Sequence, residues 1–213
     1  DALEMEMGLA DLYGGARPLE LPPLDAGFAL DDPGVELKPY PSCRFTHRAI
    51  DAVLALREKH GDRELRAIEC ASDPLGLSIL IYPEPRTGLE AKFSLQYCVA
   101  IAWLAGWPGL DAFSDARATA ADVQALLRRV RVRSTRSADE EVELIFSDGT
   151  RASESVRIAR GHPRNPLSDA QREAKLALCL EPALGVQRAR ALVDAFASLE
   201  SIRDVRDLAG RIA

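Results

Sequence analysis

Apolar residues along this chain change period several times, and those changes predict its elements. From Thr46 to His60, the positions Ile50, Val53, Leu54 and Leu56 trace an imperfect amphipathic helix, with Thr46 as its cap and Gly61 as its end. Two strands are expected next, Leu65 to Ala71 and Leu77 to Tyr82. A capping box of Thr87 and Glu90 then opens one long helix ending at Gly106, with Phe93, Tyr97, Ala100, Ile101 and Leu104 on its buried stripe. A further helix covers Ala121 to Leu127. The period then shortens, and strands are expected at Val130 to Arg133, Val142 to Phe146 and Ser155 to Ile158. Asp148-Gly149 supplies a hairpin turn, because both residues tolerate positive φ. Arg160 to Pro166 reads as a loop. Ser168 and Gln171 form a second capping box, which opens helices at about 169–180, 186–197 and 202–212.

The order of helix, strands, helices, strands and then helices alone predicts an α+β fold with a mixed or antiparallel sheet. The front of the chain reads differently. Residues 1–15 resemble the end of a helix stopped by Gly14-Gly15, and Arg17 to Pro41 is rich in proline and loop-like. A chain that begins by finishing a helix is expected to lack something upstream.

Composition narrows the function classes. Hydrophobic residues are 47% and charged residues 28% of 213, ordinary for a globular protein. The net charge of -6 gives no basic footprint for a nucleic acid. The longest apolar stretch, Tyr97 to Trp107, is too short to span a bilayer, so no membrane partner is expected. Cys43, Cys70, Cys98 and Cys179 are far apart with no CxxC pair. They read as reduced thiols of a cytoplasmic protein, and no metal site is expected.

The chemistry-bearing stretch is Lys38-Pro-Tyr-Pro-Ser-Cys-Arg-Phe-Thr-His47. Its prolines stiffen the loop that presents Lys38, and Arg44 and His47 sit where a helix begins. Those cations and the open helix N-terminus suit one or two carboxylates. The same positive end would lower the pKa of His47 and keep it a neutral base. The residues also allow a plainer account, in which Lys38 and Arg44 are solvated charges and His47 is a first-turn helix residue. Likewise Tyr97, on an apolar face, reads as core with a satisfied hydroxyl, and Cys98 as a small buried hydrophobe. Lys92 and Ser94 read as surface or capping positions, His162 as a loop-shaping residue, and Trp103 and Trp107 as packing residues.

Four ordered segments resemble the MmgE/PrpD family: KPYPSCRFTHRAIDA, the helix TGLEAKFSLQYCVAIA, the Asp148-Gly149 hairpin and GHPRNPLS. Together they span most of residues 35–180. The resemblance implies that residues 1–34 end a helical domain and its linker, residues 35–160 form an α+β lid-like domain, and residues 161–213 return to the helical domain. It implies enzymes that need no iron–sulfur or organic cofactor and act on small di- and tricarboxylates by acid–base chemistry. Dehydration of 2-methylcitrate is the activity expected first. An epimerase of the same family, or a non-catalytic ligand-binding or assembly module, are the alternatives. By position, Lys38 matches a lysine of the family's cleft and Tyr97 a tyrosine of the lid helix. Cys43 falls where cis-aconitate decarboxylases have a histidine, which argues against decarboxylation. Lys38, His47 and Tyr97 are therefore the expected catalytic residues, and Arg44 and Cys43 the expected substrate contacts. The remaining acid–base groups would come from an N-terminal helical half, so the chain alone is expected to be inactive. Its terminal helices are expected to pack on that half or on a second copy in a homodimer.

Overall fold

The computed structural model describes residues 30–32, 34–204, 206 and 210. The expected helix end at 1–15, most of the proline-rich stretch and most of the helix at 202–212 lie outside the described residues. The chain divides into Asp1–Val35 and Glu36–Ala213, and the second unit holds every element described below.

After a 3-10 turn at Arg44–Thr46, helix α1 spans His47–His60 and strand β1 spans Leu65–Ser72. Short helices follow: α2 (Pro74–Ile79) and α3 (Gly88–Ala91), then the longer α4 (Leu95–Ala105). Next come α5 (Asp115–Ala118) and α6 (Ala121–Leu127). Strands β2 (Val130–Ser134), β3 (Glu140–Phe146) and β4 (Arg151–Val156) lead into α7 (Asp169–Leu184) and α8 (Val186–Ala197). The strand order is β2-β1-β3-β4. β1 runs parallel to β2 and antiparallel to β3, and β3 and β4 form a hairpin, so the sheet is mixed and the fold is α+β.

Each face of the sheet has its own chemistry. Ile68, Cys70, Val142, Leu144 and Phe146 are buried in a core with Ile50, Val53 and Leu56 of α1 and Leu95, Val99 and Ile101 of α4. Burying such side chains is worth about 1.5–3 kcal/mol each, which fixes the helices on this face. The opposite face carries ion pairs across strands: Arg131 to Glu69, Arg133 to Glu141 and Arg151 to Glu143. Alternating side chains on a half-solvated sheet produce that division. Helices α7 and α8 lean on each other through a smaller cluster, where Leu192 and Ala195 meet Leu180 and Leu184. Among the described residues, no helix is long and apolar enough to cross a membrane.

Four local expectations are corrected. The strand expected at Leu77 to Tyr82 is replaced by α2, which begins earlier and ends at Ile79. Asp73 caps it by accepting from the Gly76 amide at 2.8 Å, and Pro74 occupies the first turn, so the Asp-Pro pair overrides the apolar run behind it. The single helix expected from Thr87 is broken at Lys92, whose carbonyl accepts from the Cys43 amide at 2.9 Å. Ser94 restarts the chain as α4 by accepting from the Tyr97 amide at 3.1 Å. Thr46 does not cap α1; its hydroxyl donates to the Cys43 carbonyl at 2.8 Å instead. The last strand starts at Arg151 rather than Ser155, because the turn holding Gly149 at φ 83° returns the chain at once into pairing with β3. By contrast α6 has its expected bounds, and the Ser168–Gln171 capping box closes in both directions.

Candidate functional site

The cationic loop is held by contacts that join two distant parts of the chain. The Leu37 amide donates to the Gly161 carbonyl at 2.8 Å. Gly161 has φ 85°, and a Cβ there would lie 1.8 Å from the Leu37 carbonyl oxygen, so glycine is required by both conformation and space. Deeper in, the Tyr40 hydroxyl donates to Asp51 Oδ1 at 2.6 Å, while Asp51 Oδ2 accepts from the Arg160 amide at 2.7 Å. Burial pushes the Asp51 carboxyl up, partly opposed by these donors, and burial and Asp51 together push the Tyr40 phenol far up. Tyr40 therefore stays a neutral donor. Its ring meets His47 edge-on at 5.3 Å and tilts on Trp107 at 4.9 Å.

His47 is buried in the first turn of α1. Its Nε2 lies 3.3 Å from the Ser42 carbonyl oxygen. A carbonyl only accepts, so that contact assigns the proton to Nε2 and leaves Nδ1 as the ring's acceptor. Burial pushes the imidazole down to about 4, with Lys38 and Arg44 adding to the effect. The downward shift expected at His47 has burial as its main cause, with the neighbouring cations adding to it.

Arg44 grips Glu36 with two nitrogens, Nη2 reaching Oε1 at 2.5 Å and Nε reaching Oε2. That contact holds the Glu36 carboxyl below its usual range. His162 Nε2 lies 3.5 Å from the same carboxylate, and its Nδ1 accepts from the Arg164 amide at 3.0 Å. Lys38, Arg44 and His47 therefore converge on one crevice with Glu36, Arg160 and His162. Its volume is only about 20 Å³, enough for a water or a single carboxylate oxygen. On its other side Lys38 borders a groove of about 240 Å³ with Tyr40, Pro108, Leu178 and Lys175.

The other two expected residues lie elsewhere. Cys43 is half-buried, packs on the core and donates its amide to Lys92. Tyr97 is fully buried on α4, where its hydroxyl donates to the Ala112 carbonyl and its ring packs on Phe113 at 5.8 Å. Burial pushes its phenol well above the usual range. Among the described residues, no three His, Cys, Asp or Glu side chains are placed to hold a metal ion.

Sequence reasoning did not assign Glu36, Asp51 or Arg160 to this site, and read His162 only as a loop residue. Asp51 had a legible signal, since it follows His47 by four residues and so shares its helix face. For Arg160 and His162 the signal was charge: residues 155–168 contain three arginines and a histidine but no acid, in a chain of net charge -6.

The MmgE/PrpD C-terminal domain matches residues 40–201. The chain is 27% identical over 218 aligned residues to cis-aconitate decarboxylase of Mus musculus, covering 95% of this chain and 44% of that protein. It is 25% identical to cis-aconitate decarboxylase of Homo sapiens, covering 95% of this chain and 45% of that one. The chain thus spans less than half the length of the curated relatives it matches. With most of its length inside the matched region, the chain belongs to the MmgE/PrpD family.

Proposed function

We propose that this chain carries the cationic part of a lyase site for small di- and tricarboxylates, with dehydration of a 2-methylcitrate-like substrate as the reaction. The observation that carries the reading is the convergence of Lys38, Arg44 and a neutral His47 on one crevice. In this proposal Lys38 faces the carboxylate next to the carbon that loses its proton. An ammonium group there stabilises the negative charge that builds up on that carboxylate. Arg44, kept straight by Glu36, holds a second carboxylate. His47 offers Nδ1 as a proton acceptor at neutral pH. The crevice is too small for a whole tricarboxylate, so the substrate body would lie in the groove on the far side of Lys38, where Lys175 supplies another cation. Tyr97 has no part in this proposal, because its hydroxyl is already committed to Ala112.

A second reading, decarboxylation of cis-aconitate, is favoured by the names of the two relatives. Cys43 weighs against it, since a half-buried thiol is a poor substitute for the imidazole of that enzyme class.

The test is to assay the protein from its whole reading frame, beside the 213-residue chain, on 2-methylcitrate and on cis-aconitate. Loss of water from 2-methylcitrate, reduced at least about a hundredfold in kcat by Lys38→Ala, is the expected result. Carbon dioxide release from cis-aconitate would select the second reading. Absence of turnover on either compound would sink both.

A further inference from the structure

A wider crevice lies on the outer side of Arg44, and its chemistry differs from the site above. It measures about 230 Å³ and is bounded by Arg44, Arg48, Arg157 and Arg164, with Phe45 and His162 completing its wall. Among the described residues no acidic side chain lines it. Two of the arginines are fixed from behind. Arg44 is held by Glu36, and Arg48 reaches Asp73 Oδ2 at 3.0 Å, Glu140 Oε2 at 3.3 Å and the Ala138 carbonyl at 2.8 Å. The other two are held less tightly. Arg157 lies 3.6 Å from Asp139 in an exposed pair, and Arg164 has no ion-pair partner among the described residues.

The loop that carries them is cross-linked by its own hydrogen bonds. The Gly161 amide donates to the Asn165 carbonyl at 2.8 Å, the Asn165 amide to the His162 carbonyl at 2.8 Å, and Asn165 Nδ2 to the Ile158 carbonyl at 3.0 Å. A preset loop lowers the ordering cost of binding.

We propose that this crevice is a second anion-binding site, which takes a doubly charged oxyanion group of a small molecule between Arg157, Arg164 and the anchored Arg44 and Arg48. Planar guanidinium forks suit oxygens of carboxylate and phosphate alike. The two crevices share Arg44 and His162, but Arg157 and Arg164 belong to this one and not to the Lys38 crevice, so they report on it separately.

Calorimetric titration of the 213-residue chain with pyrophosphate and with citrate tests it. The wild type, Arg157→Gln/Arg164→Gln and Lys38→Ala are compared, and thermal melting confirms that the exposed double variant stays folded. The expected result is pyrophosphate binding that weakens about tenfold or more in the double variant, a loss of about 1.4 kcal/mol, and is unchanged in Lys38→Ala. Tighter binding of pyrophosphate would identify a phosphate-bearing ligand, and tighter binding of citrate a carboxylate one. Absence of binding by the wild type, an unchanged double variant, or equal weakening of pyrophosphate in Lys38→Ala would each overturn the proposal. Loss of turnover in Lys38→Ala of the protein from its whole reading frame, with pyrophosphate binding intact, separates the two sites.

Discussion

Leu37 and Gly161 are 124 residues of chain apart, yet the amide of one donates to the carbonyl of the other at 2.8 Å. This contact joins the segment carrying Lys38 and Arg44 to the loop carrying Arg160 and His162, and it tolerates no side chain at 161. Gly161→Ala is therefore expected to cost about 2 kcal/mol or more, combining left-handed strain with a backbone clash. Gly149→Ala is the matched control, because Gly149 has φ 83° but nothing within 4 Å of an added Cβ. Its cost should be about 1 kcal/mol from strain alone. Urea denaturation of both variants decides the matter; equal losses would show that the Leu37 contact is not limiting.

The second prediction concerns Tyr40 and Asp51. Tyr40→Phe removes a donor from a buried carboxylate and is expected to cost about 1–3 kcal/mol. The pH dependence has a definite sign. Asp51 is already raised in the folded protein, so its stability contribution declines as pH rises from the unfolded value towards the folded one. Losing the phenol raises it further and widens that interval. The cost of Tyr40→Phe should accordingly be larger at neutral pH than in acid. A cost that is the same at both would mean that Tyr40 acts there through packing alone.

How much of this was legible can be judged at particular residues. The strands at Val130 and Val142, helix α6 and the Ser168 capping box follow from local periodicity and side-chain chemistry, which sequence carries directly. Lys38, Arg44 and His47 were legible as a group because they are close in sequence. Their partners were not, since Glu36 is bound to His162 and Asp51 to Arg160 only after the loops meet. The break at Lys92 was also hidden, because its cause is an amide 49 residues earlier, at Cys43. Tyr97 was assigned to a cleft by resemblance, whereas its plainer reading from an apolar helix face describes what this chain shows: a buried ring with a satisfied hydroxyl.

Two buried groups with opposite shifts, His47 and Glu140, should partly cancel each other in the pH dependence of stability in mild acid. His47 falls from 6.5 to about 4, so its unfolded form takes a proton the folded form refuses. That contribution is complete above 6.5 and is lost as pH falls towards 4. Glu140 rises from 4.5 to about 7, so its folded form keeps a proton the unfolded form releases. That contribution is complete below 4.5 and is lost as pH rises towards 7. Each amounts to roughly 3 kcal/mol at most. Glu140→Gln should therefore leave stability rising with pH across this window, and His47→Gln should leave it falling. Denaturation midpoints at both ends of the window test this, and parallel curves for the two variants would refute it.

Thiol reactivity gives a direct check on packing around the loop. Cys70 and Cys98 are fully buried, and burial raises both thiols, Cys98 to about 12. A thiol that cannot ionise is a poor nucleophile, whatever its access. Cys179 is exposed on α7, and Cys43 is half-buried where its loop meets the break before α4. Labelling the native chain with a disulfide reagent should give a fast phase from Cys179 and a slower one from Cys43. Cys70 and Cys98 should react only after denaturation. Cys179→Ser should abolish the fast phase and leave the slow one, whereas Gly161→Ala, by loosening the loop, should speed the Cys43 phase. If Cys98 reacts in the native chain as fast as Cys43, the junction between the loop and α4 is not closed as described.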